Sequence, residues 1–248
     1  MLPITAYESS SDSEGSSDTE QQQSSSMPAL PGFFSPASTK AEDPVKHQGR
    51  KRTKPHTANS WATHVYVQVP VTEEVKQIVG PTITDDIHSM IQQEEDEMLH
   101  VSLSRCVFLK EHQLDTFAQN IRDSIAQSSF CITFADVSVL TNDEKTRSFV
   151  TVEVGAGYNE ADVTQNANQL QSLLRAVDKV MEKFGQPVFY KPARFHASIA
   201  WSLTSAPLEA AVGRIPTLAV DDLTTVSHMV SKVVVKMGNR VVEVPLQK

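Results

Sequence analysis

The sequence predicts an α+β domain in which two antiparallel sheets face each other across a central groove, with the helices outside. Predicted strands and helices follow one another without the strict strand–helix–strand rhythm of a parallel sheet, and no glycine-rich phosphate loop follows the first strand. Two strands, one in each half of the chain, carry a histidine and a serine on the same face. This recurrence indicates a body with two lobes.

Alternation of apolar and polar residues locates the strands. The stretch "WATHVYVQVP" predicts a strand over 61–70, which stops at Pro70 because proline cannot continue the ladder. The chain closes with a hairpin, "KVVVKMGNRVVEV", which turns on Gly238 and Asn239. The remaining strands are predicted over 98–108, 130–140, 147–154 and 195–203, and the polar turn "TNDEKTR" joins the second and third of these.

Apolar residues at helical spacing predict the helices. They cover approximately 71–79, 82–95, 110–128 and 162–184. The prediction for 82–95 rests on the spacing of Ile83, Ile87, Met90 and Ile91. The last helix is expected to end at Gly185, because glycine favours the left-handed backbone that follows many helices.

Composition divides the chain into three parts. Residues 1–45 contain eleven serines and seven acidic residues against one basic residue, and they show no apolar periodicity. Such a segment buries too little apolar surface to offset its chain entropy, so we expect a disordered tail rich in serine and acids. A basic linker is expected at 46–58, and one folded domain over 59–248.

The charge distribution bounds the possible partners. The linker contains "KHQGRKRTKPH", which is typical of a nuclear-import signal or a phosphate-contacting arm, and equally of a solvated linker with a chance cluster of charge. Over 59–248, acidic residues outnumber lysine and arginine by seven. Duplex-binding proteins usually have the opposite sign, because they neutralise many phosphates. Broad nucleic-acid binding is therefore disfavoured, whereas a site for the last few nucleotides of a strand remains open.

Targeting features point to the cell interior. The chain does not begin with the basic and apolar blocks of a secretion signal, and no run approaches the roughly eighteen apolar residues of a membrane span. Cys106 and Cys131 fall within predicted strands, where a reduced core thiol is the ordinary role. We therefore expect a soluble intracellular protein without membrane contact.

Two histidines occupy unusual positions within apolar strands. In "MLHVSLSRCVFL", alternation places His100, Ser102 and Ser104 on one face, and "RFHASIAWSL" repeats the arrangement with His196 and Ser198. Chance supplies roughly one or two His-x-Ser matches in such a composition, so the strand context carries the information. For either histidine taken singly, a core or surface role remains equally open.

Together the two histidines suggest acid–base chemistry. Imidazole titrates near neutral pH, so one ring can accept a proton while the other donates one. The reaction served most naturally is transesterification within RNA, in which a 2′-hydroxyl attacks its own phosphodiester. Ser102 and Ser198 would donate hydrogen bonds to the non-bridging phosphate oxygens. This chemistry needs no metal, and neither metal-ligand spacing nor a Gly-x-Ser-x-Gly elbow is found.

Longer stretches of the sequence resemble a known family. "HVSLS" and "HASIAW" look like the tetrapeptide motifs of the 2H phosphoesterase superfamily. With "SWATHVYV", "TNDEKTRSFVTVEV", "VDKVMEKF" and "FYKPARFHASIAW", the chain resembles the U6 small nuclear RNA phosphodiesterase family over approximately residues 50–248. The resemblance implies the two-lobed 2H phosphoesterase fold.

The resemblance also implies an activity and a location. Members of this family are 3′-to-5′ RNA exonucleases that trim uridines from U6 RNA and leave a 2′,3′-cyclic phosphate or a 3′-phosphate. The expected partner is thus the single-stranded 3′ end of an RNA in the nucleus. We expect a monomer that requires no cofactor and no metal.

Site residues carry over by position. The resemblance implies that His100 is the general base, His196 is the general acid, and Ser102 and Ser198 hold the phosphate. Tyr190 matches the family's aromatic platform for the terminal base, and a ring face can grip an unpaired nucleotide. Three further residues complete the expected nucleotide-binding set: Arg194, Phe195 and Asp143.

Asp143 departs from the family pattern, which can carry glutamine at this position. An amide both donates and accepts toward a uracil edge, whereas an ionised carboxylate only accepts, so the uridine preference is open to change. Two alternatives to the trimming activity also remain. One is another 2H activity, of the cyclic phosphodiesterase or RNA ligase type, and the other is a non-catalytic module that binds RNA ends.

Overall fold

The first sheet is built around β1 (Ser60–Pro70), whose buried residues alternate as the sequence predicts. The computed structural model describes residue 57 and residues 59–91, 97–155 and 160–247, with only the backbone described for 160–167. β1 pairs antiparallel with three strands. These are β3 (Met98–Ser102), β4 (Val107–Lys110) and β10 (Lys232–Met237). The hairpin turn at Gly238 continues β10 into β11 (Arg240–Pro245), which completes the predicted C-terminal hairpin.

The second sheet carries the other histidine strand. Its order is β2 (His88–Ser89), β8 (His196–Ser202), β7 (Ser148–Val154) and β6 (Phe134–Thr141), and every pairing is antiparallel. A small antiparallel pair joins β5 (Phe130–Ile132) to β9 (His228–Val230). The first and second sheets meet where β3 contacts β8. The predicted α+β class with antiparallel sheets is therefore confirmed.

Helices pack against both sheets. The structure has α1 (Glu73–Thr82), α2 (Glu111–Ser124), α3 (Glu160–Lys183), α4 (Ala206–Val212) and α5 (Thr217–Thr225). α2 and α3 pack on each other beside the first sheet, whereas α1, α4 and α5 contact strands of the second sheet. α3 ends as predicted at Gly185 (φ 64°), where Gln186 N–H donates to the Met181 carbonyl at 2.9 Å.

One predicted helix is wrong. Within the described part of 82–95, the backbone forms a tight turn bridging Thr84 and Ile87 and then the short strand β2. Ile87 is buried at 1% exposure while Met90 is 37% exposed, so the apolar spacing does not define one helical face. The segment pairs with the edge of β8 instead of forming a helix, and Met90 N–H donates to the Ile199 carbonyl at 2.9 Å. This tertiary pairing outweighs the helical propensity of the segment. Residues 92–96 lie outside the described part.

Two predicted strands are each interrupted. The strand predicted over 98–108 ends at Ser102, because Leu103 N–H and Ser104 N–H both turn to the Val65 carbonyl. The Ser104 hydroxyl accepts from Val65 N–H at 2.9 Å, so Ser104 is buried and leaves the face that it was predicted to share with His100. The strand predicted over 130–140 is divided at Thr133 into β5 and β6. The predicted tail (1–45) lies outside the described residues, as does nearly all of the linker (46–58).

His228, on β9, is buried in an apolar setting. Its side chain is 2% exposed, its ring lies 5.0 Å from that of Phe134, and neither ring nitrogen has a hydrogen-bond partner in the described part of the chain. Burial lowers the pKa of His228, although the charge of Glu74 opposes this effect. The folded protein therefore holds His228 as the neutral base.

This burial predicts a dependence of stability on pH. Below about pH 6.5 His228 binds a proton in the unfolded chain but not in the folded chain. The free energy of unfolding is therefore highest above that pH and falls with acidification. One such group contributes a slope of up to about 1.4 kcal/mol per pH unit. Urea unfolding of the wild type and of His228→Leu at pH 7.5 and 5.5 should show a smaller loss in the variant. An identical loss in both would contradict this explanation.

Candidate active site

The first wall of the site is β3. Leu99 and Val101 point into the core, and the intervening His100 and Ser102 are half-buried on the opposite face. The register with β1 places His100 beside Gln68 and Ser102 beside Tyr66. Strand alternation, predicted from the sequence, is thus what turns the imidazole and the hydroxyl to one side.

The second wall is β8. His196 and Ser198 are half-buried, and Ala197 and Ile199 are buried. Ser198 pairs with Thr151 and His196 with Glu153 on β7, but a bulge falls at Ile199, because the adjacent residues Val150 and Thr151 pair with Ala200 and Ser198. The bulge leaves the His196 and Ser198 faces aligned, and the Ile199 carbonyl accepts from the N–H of Met90, the residue after β2.

The two histidines lie within electrostatic reach of each other. Burial lowers the pKa of His100, and the charges of His196 and then Lys236 lower it further. Because β3 and β8 are the strands in contact between the two sheets, this interaction acts across the groove. The structure thus places His100 and His196 on contacting strands and within electrostatic reach of each other. Their catalytic pairing stays a prediction.

The electrostatic environments of the two histidines differ. Burial also lowers the pKa of His196, but its hydrogen bond to the Arg194 carbonyl and the charge of Glu153 both oppose that effect. Every influence on His100 lowers its pKa. Since a carbonyl oxygen only accepts, the bond of 2.9 Å from His196 Nδ1 requires a proton on Nδ1 and leaves Nε2 as the atom that titrates.

A third histidine, His64 on β1, belongs to the site. Its Nε2 lies 3.1 Å from Ser102 Oγ, and its ring meets that of His100 edge-on at 5.7 Å between centroids. Burial, followed by the charge of His100, lowers the pKa of His64 to about 4. His64 is therefore neutral at physiological pH and orients the Ser102 hydroxyl by a hydrogen bond.

Sequence reasoning missed His64 because it lacks the His-x-Ser pattern. The available signal was its position in "WATHVYVQVP", where His64 alternates with buried Val65. That alternation shows which residues share a face of β1, but only the pairing of β1 with β3 shows that this face carries His100.

Polar residues on the second sheet support His196. Glu153 accepts hydrogen bonds from Arg194 Nη2 and from Ser138 Oγ. Ser138 Oγ in turn lies 3.0 Å from Thr151 Oγ1. Arg194, which was expected to contact substrate, therefore uses one guanidinium nitrogen in a hydrogen bond to Glu153. Glu153 is itself a site residue, and it was not predicted from the sequence.

Tyr190 belongs to a cluster at the start of β8. Its hydroxyl donates to Asp143 Oδ2 at 2.8 Å, and the Arg105 guanidinium carbon lies 4.0 Å from its ring centroid. Arg105 Nη1 is also 3.8 Å from Asp143 Oδ2. The structure therefore joins Tyr190 to Asp143 and adds Arg105, which was not predicted, and the nucleotide-binding role of Tyr190 and Asp143 stays a prediction.

Phe195 lies elsewhere than the sequence analysis expected. Its side chain is only 9% exposed, and its ring stacks on that of Phe189 at 6.3 Å between centroids. Phe189 also meets the Tyr190 ring edge-on at 5.3 Å. Because its neighbours on the strand alternate with it, Phe195 faces the core while His196 faces the groove, and its burial argues against direct contact with a nucleotide.

The described residues contain neither a metal-ligand cluster nor a membrane-spanning helix. Within residues 59–91, 97–155 and 168–247, no group of three or more histidine, cysteine, aspartate or glutamate side chains is arranged to hold a metal ion. None of the helices in the described ranges has the length and apolar character needed to cross a membrane.

Comparisons with known proteins identify relatives. Residues 28–245 match the model of the HVSL family, described as an uncharacterised conserved protein. U6 snRNA phosphodiesterase 1 of Bos taurus is 36% identical over 169 residues, which are 68% of this chain and 60% of that protein. The Homo sapiens protein of the same name is 34% identical over 169 residues, with the same two shares. The chain thus spans about three fifths of the length of these relatives.

Solved structures show the same fold. Kluyveromyces marxianus Usb1 superposes with a TM-score of 0.53 at 16% identity, covering 76% of this chain and 98% of that one. Its structure with uridine monophosphate gives a TM-score of 0.54 at the same identity and coverage. At this level of identity the likeness shows the architecture, and the chemistry must be argued from the residues of this chain.

The environment of His196 predicts how its titration responds to mutation. Replacing Glu153 with glutamine removes the negative charge that raises the pKa of His196 and leaves the opposing charge of Arg194 unpaired, so the pKa should fall. Titration of the histidine ring signals by NMR measures this directly. Glu144→Gln, in the exposed turn after β6, is the matched control and should leave the His196 curve in place. An unshifted curve in Glu153→Gln would contradict the assigned environment.

Proposed function

The chain belongs to the HVSL family, and from this premise we propose that it is a 3′-to-5′ RNA exonuclease that trims the 3′-terminal uridines of U6 small nuclear RNA. The supporting observation is a pair of interacting imidazoles, His100 and His196, on contacting strands of two sheets, each with a serine beside it. The names of the relatives indicate the RNA. The solved relative with uridine monophosphate indicates the nucleotide.

The proposed reaction is an internal transesterification. His100 accepts the proton of the 2′-hydroxyl on the penultimate nucleotide as that oxygen attacks the adjacent phosphorus. The bond from phosphorus to the 5′-oxygen of the terminal nucleotide breaks, and His196 Nε2 donates a proton to that oxygen. The shortened RNA keeps a 2′,3′-cyclic phosphate. This ring opens to a 3′-phosphate if water later attacks the phosphorus, the bond from phosphorus to the 2′-oxygen breaks, and that oxygen takes up a proton. All of the bonds and protons balance without a metal ion.

The two serines stabilise the charge that develops during attack. Ser102 and Ser198 lie two residues from His100 and His196 on the same faces, so their hydroxyls reach the non-bridging oxygens of the phosphate between the walls. When Ser102 donates to the phosphate, His64 Nε2–H donates to Ser102 Oγ and limits the directions in which that hydroxyl rotates. A preorganised donor costs no reorientation at the moment of reaction.

The assignment of base and acid follows from the environments. A general base must be unprotonated before reaction, and every neighbouring influence on His100 favours its neutral form. A general acid must hold a proton, and His196 alone of the pair has a carboxylate, Glu153, that favours its charged form. If His196 were the base and His100 the acid, each ring would be in an environment that favours the wrong protonation state.

The terminal base is proposed to stack on Tyr190, whose residue is 41% exposed. Arg105 covers one face of that ring, so the uracil uses the other face. Asp143 accepts from the Tyr190 hydroxyl and orients the ring, which gives this carboxylate a role other than direct reading of the base. We further propose a nuclear location, although the basic run that suggests it lies outside the described residues.

Substitution of the two histidines tests the reaction. His100→Ala and His196→Ala should each reduce the shortening of a short oligouridylate by about 10²–10⁴-fold, because each removes one proton-transfer group. Activity in the wild type should survive a chelator. His112→Ala, at an exposed position on α2, is the matched control and should cut like the wild type. Mass analysis of the RNA ends identifies the product.

Several outcomes separate the alternatives. Full trimming by either histidine variant, or cleavage of a strand whose penultimate nucleotide lacks the 2′-hydroxyl, would defeat the mechanism. Consumption rather than formation of a cyclic phosphate would indicate chemistry of the ligase or cyclic phosphodiesterase type. Tight binding of the 3′ end without any cleavage would indicate a module that only binds RNA ends.

A further inference from the structure

The groove face of the first sheet continues beyond the catalytic strand. On β1, His64 and Tyr66 alternate with buried Val65 and share the face of His100. Across the next pairing, Lys236 on β10 stands opposite His64. We call His64, Tyr66 and Lys236 the upstream surface. The proposed reaction assigns His64 to Ser102, but it assigns nothing to the other two residues of this surface.

Tyr66 presents an aromatic ring next to the proposed base. Its ring centroid lies 5.3 Å from that of His100 and 5.3 Å from that of His64. Tyr66 is half-buried, and burial, followed by the charge of Glu243, raises the pKa of its hydroxyl. The side chain is therefore a neutral hydrogen-bonding ring at physiological pH, of a kind that packs on a ribose or a base.

Lys236 supplies positive charge at the same place. Its side chain is exposed, yet its charge lowers the pKa of both His64 and His100, so it lies within electrostatic reach of the groove. Among the described residues Lys236 has no ion-pair partner, whereas Lys232, four positions earlier on the same face of β10, binds Glu243 Oε1 at 2.5 Å. Over residues 59–248, where acids are in excess, a lysine left unpaired beside an active site is suited to an anion.

The geometry of the proposed reaction indicates which anion Lys236 would bind. In a displacement at phosphorus, the attacking and departing oxygens lie on opposite sides of the phosphorus atom. His100 serves the attacking 2′-oxygen, so the nucleotide that stays on the RNA lies against the first sheet. His196 and Tyr190 serve the departing nucleotide on the other side. The strand that leads upstream from the cut must therefore leave the groove over β1 and β10.

We propose that Tyr66 and Lys236 form a subsite for the retained strand, in which Lys236 Nζ binds the phosphate on the 5′ side of the penultimate nucleotide and Tyr66 packs against that nucleotide. This inference rests on the proposed nuclease function. It explains how an acidic protein holds a polyanion: one lysine at a defined position contacts one phosphate, without a broad basic surface. It also predicts that a substrate must carry a second phosphate to use the full site.

Two short substrates isolate that contact. UpU contains only the scissile phosphate, whereas UpUpU adds the phosphate that Lys236 would bind. Wild-type protein should cleave UpUpU with the higher kcat/KM, mainly through a lower KM. In Lys236→Met this preference should fall about tenfold, because one charged hydrogen bond to phosphate is lost. Lys232→Met removes a neighbouring charge that is already paired, and it should keep the preference.

Other outcomes would overturn the subsite. If Lys236→Met loses activity equally on both substrates and the acidic limb of its pH profile moves upward, the lysine acts only through the pKa of His100. An unchanged preference for UpUpU, or an equal loss of preference in Lys232→Met, would also contradict a specific phosphate contact.

A binding measurement separates the subsite from the nuclease function. Fluorescence anisotropy with UpUpU carrying a 2′-deoxyribose at the penultimate position needs no turnover. Lys236→Met should weaken this binding about tenfold and reduce the salt dependence by about 0.7 in the logarithmic slope, the value for one phosphate of a single strand. Such a result in a protein that cleaves nothing would support the subsite while rejecting the nuclease. Equal binding by wild type and variant would reject the subsite, whatever the activity.

Discussion

The electrostatic interaction between two half-buried imidazoles, His100 and His196, is the feature on which the rest of the site depends. Neither strand alone positions it: β3 takes its face from its register with β1, and β8 takes its face from its register with β7. The buried apolar core holds these registers, because a slip by one residue would turn each histidine inward and a valine or alanine outward. Folding free energy is thus used to bring two polar rings together.

Around that pair, the two walls differ in charge. On the first wall, burial and the charge of Lys236 disfavour a proton on His100, as does the charge of His196 across the groove, whereas Glu153 on the second wall favours a proton on His196. The same asymmetry extends outward to Lys236 on one side and to the Tyr190, Asp143 and Arg105 cluster on the other. A substrate lying between the walls would have its retained part and its departing part in different surroundings. This difference fits a reaction that removes nucleotides from one end of the strand.

Local patterns predicted much of this structure. Alternation located β1 and the faces of both histidines, and the glycine after α3 marked its end. Prediction failed where a neighbouring backbone decided the outcome: the segment after α1 became an edge strand because the carbonyl of Ile199 was available, and the His100 strand bent because Val65 bonds Ser104. His64, Glu153 and Arg105 were missed for the same reason. Their roles come from partners that lie far away along the chain, which no short window of sequence contains.

The central claim is that the two imidazoles share one groove, and their coupled titration tests it most directly. The ring signals of His100 should be followed by NMR against pH in the wild type and in His196→Gln, which keeps a polar side chain but cannot become charged. Because the charge of His196 lowers the pKa of His100, that pKa should rise in the variant. A titration curve of His100 that does not move would mean that the rings do not face each other, and the proposed chemistry would lose its basis.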